Sequence, residues 1–363
     1  MSTKRSPWQT AQRRESRCRC PRLRRLKPRA TLSLDLDNQW SYMKIHGDSG
    51  WEKFPSYLDR VVPRILQFLR ARDLHITFFV VGQDAALKKN ADALSLIAAA
   101  GHEIESHSFH HEPWISRSGA DRIDAELGEA EEALAAITGR KPVGFRSPGF
   151  AVSPNLLHVL TRRGYRYDAS TLATFIGPLA RAYYFKKSRL SVEQKQERRQ
   201  LFGTVADGLR PNVPYLWRLG AEQLTEIPVT TMPGLRLPMH FSYLHFLDSV
   251  SPGLARAYCS FTLNLCRLTG TTPSLLLHPL DFVGGDDVPQ LAFFPGMSVK
   301  SERKVATLSD FMAIFTQRFS VAAMGEYLAA EQSTMHRPLR QRRIRSAQAG
   351  GPAPFVPNPI GLD

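Results

Sequence analysis

Short apolar runs of strand type alternate with amphipathic stretches from residue 31 onward. The predicted strands are 30–34, 75–81, 102–106, 143–146, 165–168, 224–229 and 273–278. The predicted helices, each with its apolar residues on one side, are 57–72, 84–100, 121–138, 154–163, 254–268 and 302–315. Because parallel strands need a helical crossover between them, this alternation predicts an α/β fold built on parallel strands.

The regular alternation stops between about residues 169 and 219, where aromatic and charged residues stand instead. We find neither an internal repeat nor a linker within residues 31–330, so we predict a single domain with a large insertion at 169–219. Residues 1–30 are predicted to form a basic, disordered tail, and residues 331–363 a second basic tail that contains proline.

The net charge of the chain is +15, which by itself suggests a nucleic-acid ligand. Residues 1–30 account for +10 of it and the residues after Met335 for +4, which leaves +1 for the body of the protein. A binding protein driven by its basic tails is therefore one alternative, but nucleic acid is the less favoured partner. The basic amino-terminal stretch would equally suit an anionic membrane surface.

Four cysteines do not predict a disulfide framework. Cys18 and Cys20 lie in the basic tail, and Cys259 and Cys266 lie about 10 Å apart along a predicted helix, too far to bridge. The amino-terminal stretch lacks the apolar core of a signal peptide, and no apolar run reaches transmembrane length. These features predict a reduced protein in the cytoplasm, with membrane association as an option.

Two carboxylates and two imidazoles suggest a metal site. Asp35 and Asp37 follow the first predicted strand, where positions i and i+2 share a face. His107 and His111 follow another strand, and in a helix they would also share a face. One carboxylate and two imidazoles make three ligands for an ion such as zinc, and the second carboxylate would stand nearby as a general base. A strand cap and a surface histidine pair are the plainer alternatives.

Further polar residues stand at the ends of later strands, namely Arg146, Asp168 and His278. In parallel α/β folds, functional side chains collect at the carboxyl ends of the strands. Each residue alone has a structural explanation, such as an ion pair or a cap. Together they predict one hydrolytic site at this edge of the sheet.

The motifs in this order resemble the polysaccharide deacetylase (NodB-like) family, carbohydrate esterase family 4. The matching segments are Leu32–Asp37, His107–His111, Arg146–Phe150 and Leu275–Pro279, and the resemblance covers roughly residues 31–325. It implies a distorted (β/α) barrel and metal-dependent removal of acyl groups, usually acetyl from an amino sugar. The substrate would be a glycan or a lipid-linked amino-sugar precursor.

Two departures from the family pattern loosen the substrate assignment. The first motif reads Asp35-Leu36-Asp37 instead of two adjacent aspartates, and the last reads His278-Pro279 instead of His-Asp. The Asp-Leu-Asp motif resembles that of a D-x-D subgroup of the family, which includes deacetylases, sugar deformylases and hydrolases of small linear or cyclic amides. These activities stay open as alternatives, and a carbohydrate-binding relative without catalysis is less favoured because every proposed group is present.

The resemblance implies a role for each residue that matches a motif. Asp37, His107 and His111 would bind a divalent metal, zinc first, with cobalt, nickel or iron as alternatives. Asp35 would accept a proton from the attacking water, and His278 would protonate the leaving amine.

Positioning and substrate-binding roles follow in the same way. Arg146 would pair with Asp35, and Asp168 would orient His278, with Asp281 as a rival and a simple cap equally open. The turn that begins at Pro148 would offer a backbone N–H, from Gly149 or Phe150, to the oxyanion. Trp40, Trp51 and Trp114 would stack on a sugar ring, with core packing as the alternative for at least one. The insertion and residues 237–268 combine aromatic and basic residues, which suits either an interfacial surface for a lipid-linked glycan or a lid packed on the barrel.

Overall fold

The predicted strands lie in one sheet in the computed structural model, which describes residues 27–187, 190–197, 205–334 and 340–343. Within these ranges the sheet has ten strands: β1 (Arg29–Asp35), β2 (Thr77–Val80), β3 (Glu103–Ser106), β4 (Gly144–Phe145), β5 (Tyr167–Asp168), β6 (Tyr215–Leu219), β7 (Glu222–Glu226), β8 (Ser274–Leu277), β9 (Ser320–Ala322) and β10 (Arg340–Arg343). Their order is β10-β6-β7-β5-β4-β3-β2-β1-β8, and β9 pairs with the start of β1. Neighbours are parallel except for the antiparallel pair of β6 and β7.

The free side of β8 turns towards the segment that follows β7. The N–H of Thr230 donates to the carbonyl of Ser274 at 2.9 Å. In return, the Ser274 N–H donates to the Thr230 hydroxyl at 2.6 Å. These bonds join the two ends of the parallel series, so the strands close into the distorted (β/α) barrel that the sequence predicted.

The described residues also form these helices: α1 (Gln39–His46), α2 (Leu58–Arg70), α3 (Gly82–Ala86), α4 (Ala91–Ala99), α5 (Ala120–Thr138), α6 (Pro154–Arg162), α7 (Gly177–Lys187), α8 (Val192–Glu197), α9 (Phe241–Val250), α10 (Pro252–Thr269), α11 (Ser301–Arg318) and α12 (Met324–Thr334). The largest apolar cluster joins the inner sides of α2, α4, α10 and α11 to β1, β2 and β8. Val61, Ile65 and Leu69 of α2 are fully buried in it, as their helical spacing predicted.

One predicted helix is wrong in its extent. Residues 84–100 are divided into α3, a 3₁₀ turn at Lys88–Asn90 and α4. The interruption lies at Leu87, whose backbone is extended with φ −88° and ψ 114°, so the helical hydrogen bonding cannot continue through it. The apolar spacing of this stretch does not reveal the break.

The segment predicted as an irregular insertion contains regular structure. It holds α7, α8 and β6, and β6 has the alternating burial of a half-buried strand. The described part of the chain also places β10 beside β6, although residues 331–363 were predicted as a tail. Residues 1–26 and 344–363, which make up most of the two predicted tails, lie outside the described residues, so the domain boundaries stay a prediction.

Candidate active site

The polar residues predicted at strand ends come together at one edge of the barrel. The parallel register of β1 with β8 brings Asp35 level with His278 as the two strands end. The register of β3 with β4 does the same for His107 and Arg146. Residues far apart in the sequence are therefore neighbours because the carboxyl ends of parallel strands share an edge.

Arg146 is fully buried and bonds to Asp35. Its Nη1 donates to Asp35 Oδ1 at 2.6 Å and to the Ser33 hydroxyl at 2.8 Å, and its Nε donates to the Ala169 carbonyl at 2.9 Å. The guanidinium also lies over the ring of Phe79, 4.3 Å from its centroid. A buried carboxylate needs a compensating charge, and Arg146 supplies it in a fixed orientation.

The same arginine also orients His107. The carbonyl oxygen of Arg146 lies 2.8 Å from His107 Nδ1, and a carbonyl oxygen accepts a hydrogen bond but cannot donate one. His107 therefore carries a proton on Nδ1 and directs Nε2 towards Asp37, 3.4 Å from its Oδ1. Such an outer partner fixes the tautomer and ring orientation of a metal-binding histidine.

His107 and His111 come together through a loop and not through the helix that their i,i+4 spacing would also have allowed. Ser108 and His111 have left-handed backbones, with φ of 63° and 54°, which an α-helix excludes. The Ser108 hydroxyl accepts the N–H of His111 at 3.2 Å and tightens the turn. The ring centroids of the two histidines lie 5.1 Å apart.

A carboxylate from α5 fixes this loop from the outside. Glu126 accepts the N–H groups of Phe109 and His110 at 2.9 and 2.7 Å, and its second oxygen lies 2.7 Å from the His110 ring. His110 thus faces away from the candidate metal ligands. Gly82 allows the loop to approach β2, because a Cβ at this position would lie 2.6 Å from the Phe109 ring.

Asp37, His107 and His111 present their ligand atoms to one point. The three atoms all lie within 4.8 Å of one another, and His111 Nε2 is 2.9 Å from Asp37 Oδ1. All three residues are buried, and Asp37 Oδ1 faces the two imidazole nitrogens without a further hydrogen-bond donor among the described residues. A carboxylate oxygen and two imidazole nitrogens facing one another fit a divalent cation and are the donor set that zinc prefers.

The electrostatics of the donor set agree with this fit. Burial raises the pKa of Asp37, but the two imidazoles outweigh burial and hold that pKa well below its ordinary value. Burial lowers the pKa of His111, although Asp37 opposes this effect. Burial also lowers the pKa of His107, but the charges of Asp35 and Asp37 outweigh burial. The net pKa of His107 is therefore raised above its ordinary value. The carboxylate of Asp37 thus favours its anionic form and His111 its neutral form, whereas the carboxylates around His107 favour positive charge at that position.

Asp168 does not reach His278. Within the described residues its Oδ1 accepts the hydroxyl of Ser170, and that hydroxyl oxygen accepts the backbone N–H of Ser147 at 2.8 Å. Asp168 therefore supports the turn that follows Arg146 instead of orienting the proposed acid. The predicted acid relay is not formed because β5 directs this carboxylate towards β7.

On that side Asp168 faces a second buried carboxyl group, Glu226. The two oxygens of Glu226 accept the Thr171 N–H at 2.8 Å and the Trp217 indole N–H at 2.7 Å. Burial, followed by the charge of Asp168, raises the pKa of Glu226 well above its ordinary value. Since two adjacent buried carboxylates cannot both be charged, the raised pKa favours a proton on Glu226.

His278 stands at the start of a 3₁₀ turn, Pro279–Asp281, that follows β8. Its backbone N–H donates to Asp281 Oδ2 at 2.8 Å, and Asp281 Oδ1 accepts the Ser242 hydroxyl at 2.9 Å. Asp281 thus fixes the backbone of His278. The ring nitrogen Nδ1 is buried and without a partner among the described residues.

The tryptophans near the site differ in exposure. Trp40 is 1% exposed, its N–H donates to Asp84 at 2.9 Å, and its ring meets His111 edge-on at 6.4 Å. Trp40 therefore packs behind the site, and its burial leaves no free face for a sugar. Trp51 and Trp114 are half-buried and keep some exposed surface.

The turn after Arg146 has the shape expected of a strand-end loop. Pro148 is buried, and both Gly149 and Phe150 have left-handed backbones, with φ of 67° and 60°. The Phe150 N–H donates to the Ser147 carbonyl at 3.1 Å. Of the two N–H groups predicted for an oxyanion, Phe150's is therefore engaged within the turn.

Sequence reasoning missed four residues that hold the site: Tyr57, Asp84, Glu126 and Glu226. The Tyr57 hydroxyl donates to the Asp37 carbonyl at 2.5 Å, and Asp84 accepts the side chains of Asn38 and Trp40. Of these, Glu126 could have been noticed in the sequence, because its helical spacing places it on the apolar side of α5 with Ile123, Leu127 and Ala130. A carboxylate among buried residues needs a partner, and here the partner is the histidine loop.

The fold and the donor set define an α/β barrel with a metal-type site at the carboxyl ends of its strands. Residues 46–167 match the profile of the family named polysaccharide deacetylase. A peptidoglycan deacetylase of Helicobacter pylori is 26% identical over 164 residues, which are 44% of this chain and 53% of that protein. A chitin deacetylase of Colletotrichum lindemuthianum is 31% identical over 115 residues, 31% of this chain and 46% of that protein.

A solved structure from Mycobacterium smegmatis, assigned to the polysaccharide deacetylases, has the same fold. It superposes with a TM-score of 0.53 at 21% identity and covers 88% of this chain and 99% of that one. The chain spans about half the length of the two curated relatives. Together with the matched motifs, these similarities support the predicted membership of the NodB-like polysaccharide deacetylase family, carbohydrate esterase family 4.

Proposed function

We propose that this protein is a metal-dependent hydrolase that removes an N-acetyl group from an amino sugar of a glycan. The observation that carries the proposal is the convergence of Asp37, His107 and His111 beside the buried Asp35–Arg146 pair. The reaction would consume water and an acetamido group and release acetate and a free amine. The named activities of the two curated relatives, on peptidoglycan and chitin, support the glycan as substrate class.

Asp37, His107 and His111 would hold the ion, with zinc as our first choice and cobalt, nickel or iron as alternatives. When bound, a divalent ion supplies positive charge that polarises an acyl carbonyl and makes water more acidic. Tyr57 and Arg146 support this role, since they bond to the carbonyl of Asp37 and to Nδ1 of His107. The donor set would thus be oriented before any ion arrives.

Asp35 would act as the general base that takes a proton from the attacking water. Arg146 orients its Oδ1 at 2.6 Å and supplies the positive charge that a buried carboxylate needs. Asp35 is almost fully buried at the end of β1, two residues before the candidate ligand Asp37. A positioned base of this kind typically contributes about 10²–10⁴-fold to the rate.

His278 would protonate the leaving amine, and the backbone N–H of Gly149 would donate to the oxyanion. His278 lies level with Asp35 on the neighbouring strand, and its half-buried ring has no partner for Nδ1 among the described residues. Gly149 is the better oxyanion donor because the Phe150 N–H already bonds to Ser147. Asp168 would act on the turn through Ser170 and Ser147.

The finer substrate assignment is also proposed. A lipid-linked amino-sugar precursor is one candidate, and deformylation or hydrolysis of a small linear or cyclic amide is the alternative on the same fold. Trp114, Trp51 and Phe150 are the half-buried rings that would meet a sugar. A cytoplasmic location and contact with an anionic membrane surface are further parts of the proposal. Within the described residues, no helix is both long and apolar enough to cross a bilayer.

The test is release of acetate and formate from a panel of amino sugars, chitin oligomers and peptidoglycan fragments by zinc-loaded protein. Asp35→Asn and His278→Gln should each lower turnover by about 10²-fold or more while the bound metal stays stoichiometric. Asp59→Asn, on the exposed side of α2, is the matched control and should keep full activity. Equal activity of wild type and Asp35→Asn on the hydrolysed substrate would refute the proposed site.

A further inference from the structure

A second histidine, His240, lies beside the proposed acid His278. It directly precedes α9, and in the first turn of that helix the Ser242 hydroxyl donates to Asp281 Oδ1 at 2.9 Å. The other oxygen of Asp281 accepts the backbone N–H of His278 at 2.8 Å. One carboxylate therefore joins the start of α9 to the turn that carries His278, and it brings the two histidines to the same edge of the barrel.

The pKa of His240 reports how close the two histidines are. Burial, followed by the positive charge of His278, lowers this pKa to about 4, and the carboxylate of Asp281 opposes the change. Interactions between charges weaken with distance and are screened by solvent, so both groups are near neighbours of His240. At neutral pH His240 is therefore an uncharged imidazole.

The hydrogen bond that His240 makes to α9 fixes its tautomer. Its Nδ1 accepts the backbone N–H of Tyr243 at 3.3 Å, which makes His240 the N-cap of the helix. A nitrogen that accepts carries no proton, so the single proton of the neutral ring is on Nε2. The ring makes no other hydrogen bond to a described residue, and it is only half-buried. Nε2 is therefore an N–H donor without a protein acceptor in the described part of the chain.

Other helices of the described chain show that a cap alone does not need histidine. Asn38, Ser153 and Ser251 hold the same position at the start of α1, α6 and α10, and each accepts a backbone N–H with a side-chain oxygen. These short side chains are the usual choice, because one oxygen is enough. His240 differs from them in having a second nitrogen at the far end of its ring.

We propose that His240 is a substrate-binding residue whose Nε2–H donates a hydrogen bond to an oxygen of the amino sugar, next to the nitrogen that His278 protonates. This inference rests on the proposed function and names the group of the substrate that the site recognises. The oxygens within reach of such a donor are those on the two carbons that flank the acetamido-bearing carbon. A donor of this kind favours a sugar over a plain alkyl amide, because the alkyl amide would leave the N–H without an acceptor.

A neutral donor suits this place better than a charged one. His278 has to carry a proton in order to deliver it to the leaving amine, and a second positive imidazole beside it would oppose that charge. The amino-terminal end of α9 also disfavours a cation at His240. The two histidines can therefore act together, one as the acid and the other as an uncharged donor.

The experiment compares His240→Asn with His240→Gln in the zinc-loaded full chain, with the chitin trimer as the probe. Asparagine keeps an oxygen for the cap but has no group at the position of Nε2, whereas glutamine places its amide nitrogen near that position and loses the cap. We expect His240→Asn to raise both the Kd from calorimetry and the KM for acetate release by about 5–10-fold, with kcat unchanged. We expect His240→Gln to stay within about twofold of wild type in both constants.

Thermal unfolding separates the cap from the contact with the sugar. His240→Asn should melt like wild type, and His240→Gln should melt at a lower temperature because it lacks the cap. The matched control is His158→Asn, which changes an exposed histidine on α6 and should match wild type in every measurement.

Unchanged Kd and KM in His240→Asn would overturn the proposal and leave the deacetylation standing. The proposal also fails if His240→Gln binds the trimer as weakly as His240→Asn or more weakly, since the cap would then be the role of this residue. Wild type that does not bind the trimer is a third contrary result. If wild type binds the trimer and releases no acetate, the deacetylation fails, whereas the two affinities still decide the contact.

Discussion

The Arg146 guanidinium donates a 2.6 Å hydrogen bond to the Asp35 carboxylate, and both side chains are buried. Removing one partner of such a pair leaves an uncompensated charge. We expect Arg146→Met to lower the free energy of unfolding by about 3–5 kcal/mol. Asp35→Asn combined with Arg146→Met should recover most of that loss and still lack activity, as measured by urea unfolding and substrate turnover. If the two substitutions were simply additive, the residues would not be coupled.

Metal binding should depend on two histidines of the loop and not on the third. His107→Ala and His111→Ala each remove a ligand, so we expect stoichiometric zinc to be lost when the purified proteins are analysed by mass spectrometry. His110→Ala is the matched control and should keep its zinc, because the His110 ring faces Glu126. Chelation of wild type should abolish hydrolysis, and added zinc should restore it. Zinc retained by His107→Ala would contradict the ligand assignment.

Glu126 should control metal affinity without touching the ion. It holds the N–H groups of Phe109 and His110, so its loss frees the loop that carries both histidine ligands. We expect Glu126→Ala to weaken zinc binding by about 10–100-fold in a chelator competition assay. Glu129→Ala changes an exposed carboxylate on the same helix and should bind zinc like wild type. Equal affinities for the two variants would show that the loop does not need this support.

The buried pair of Glu226 and Asp168 should make stability depend on pH. The folded protein keeps a proton on Glu226 that the unfolded chain releases above its ordinary pKa of about 4.3. The free energy of unfolding of wild type should therefore fall as the pH rises from about 5 towards 8, by up to about 1.4 kcal/mol per pH unit. Glu226→Gln removes the titrating group, and its pH profile from urea unfolding should be flatter. Parallel profiles for the two proteins would show that the pair does not hold the proton.

The sequence was a good guide to the strand ends. Asp35, His107, Arg146 and His278 each follow a run whose apolar pattern marks a buried strand, and parallel strands must end at a common edge. Reading the pattern was therefore enough to predict which residues meet. The family resemblance then divided the two aspartates into a base and a ligand.

The sequence was a poor guide to what lies between the strands. The spacing of His107 and His111 suited a helix, but two left-handed residues make it a tight loop, and such angles leave little trace in composition. Asp168 was one of two carboxylates considered for orienting His278, with a simple cap equally open, whereas its partners Ser170 and Glu226 come from the following loop and from β7. Contacts of this kind depend on strand order across the sheet, which periodicity does not contain.

The left-handed backbone of His111 also limits how the donor set can be redesigned. At φ 54°, histidine, asparagine and aspartate are tolerated, whereas β-branched residues are strained. The backbone alone would therefore accept aspartate here, but the ring nitrogen that faces Asp37 is Nε2, and the shorter aspartate side chain would not reach the same point. A site of two carboxylates and one imidazole, which would favour harder ions such as manganese, would need the loop to move inward as well as a new donor atom.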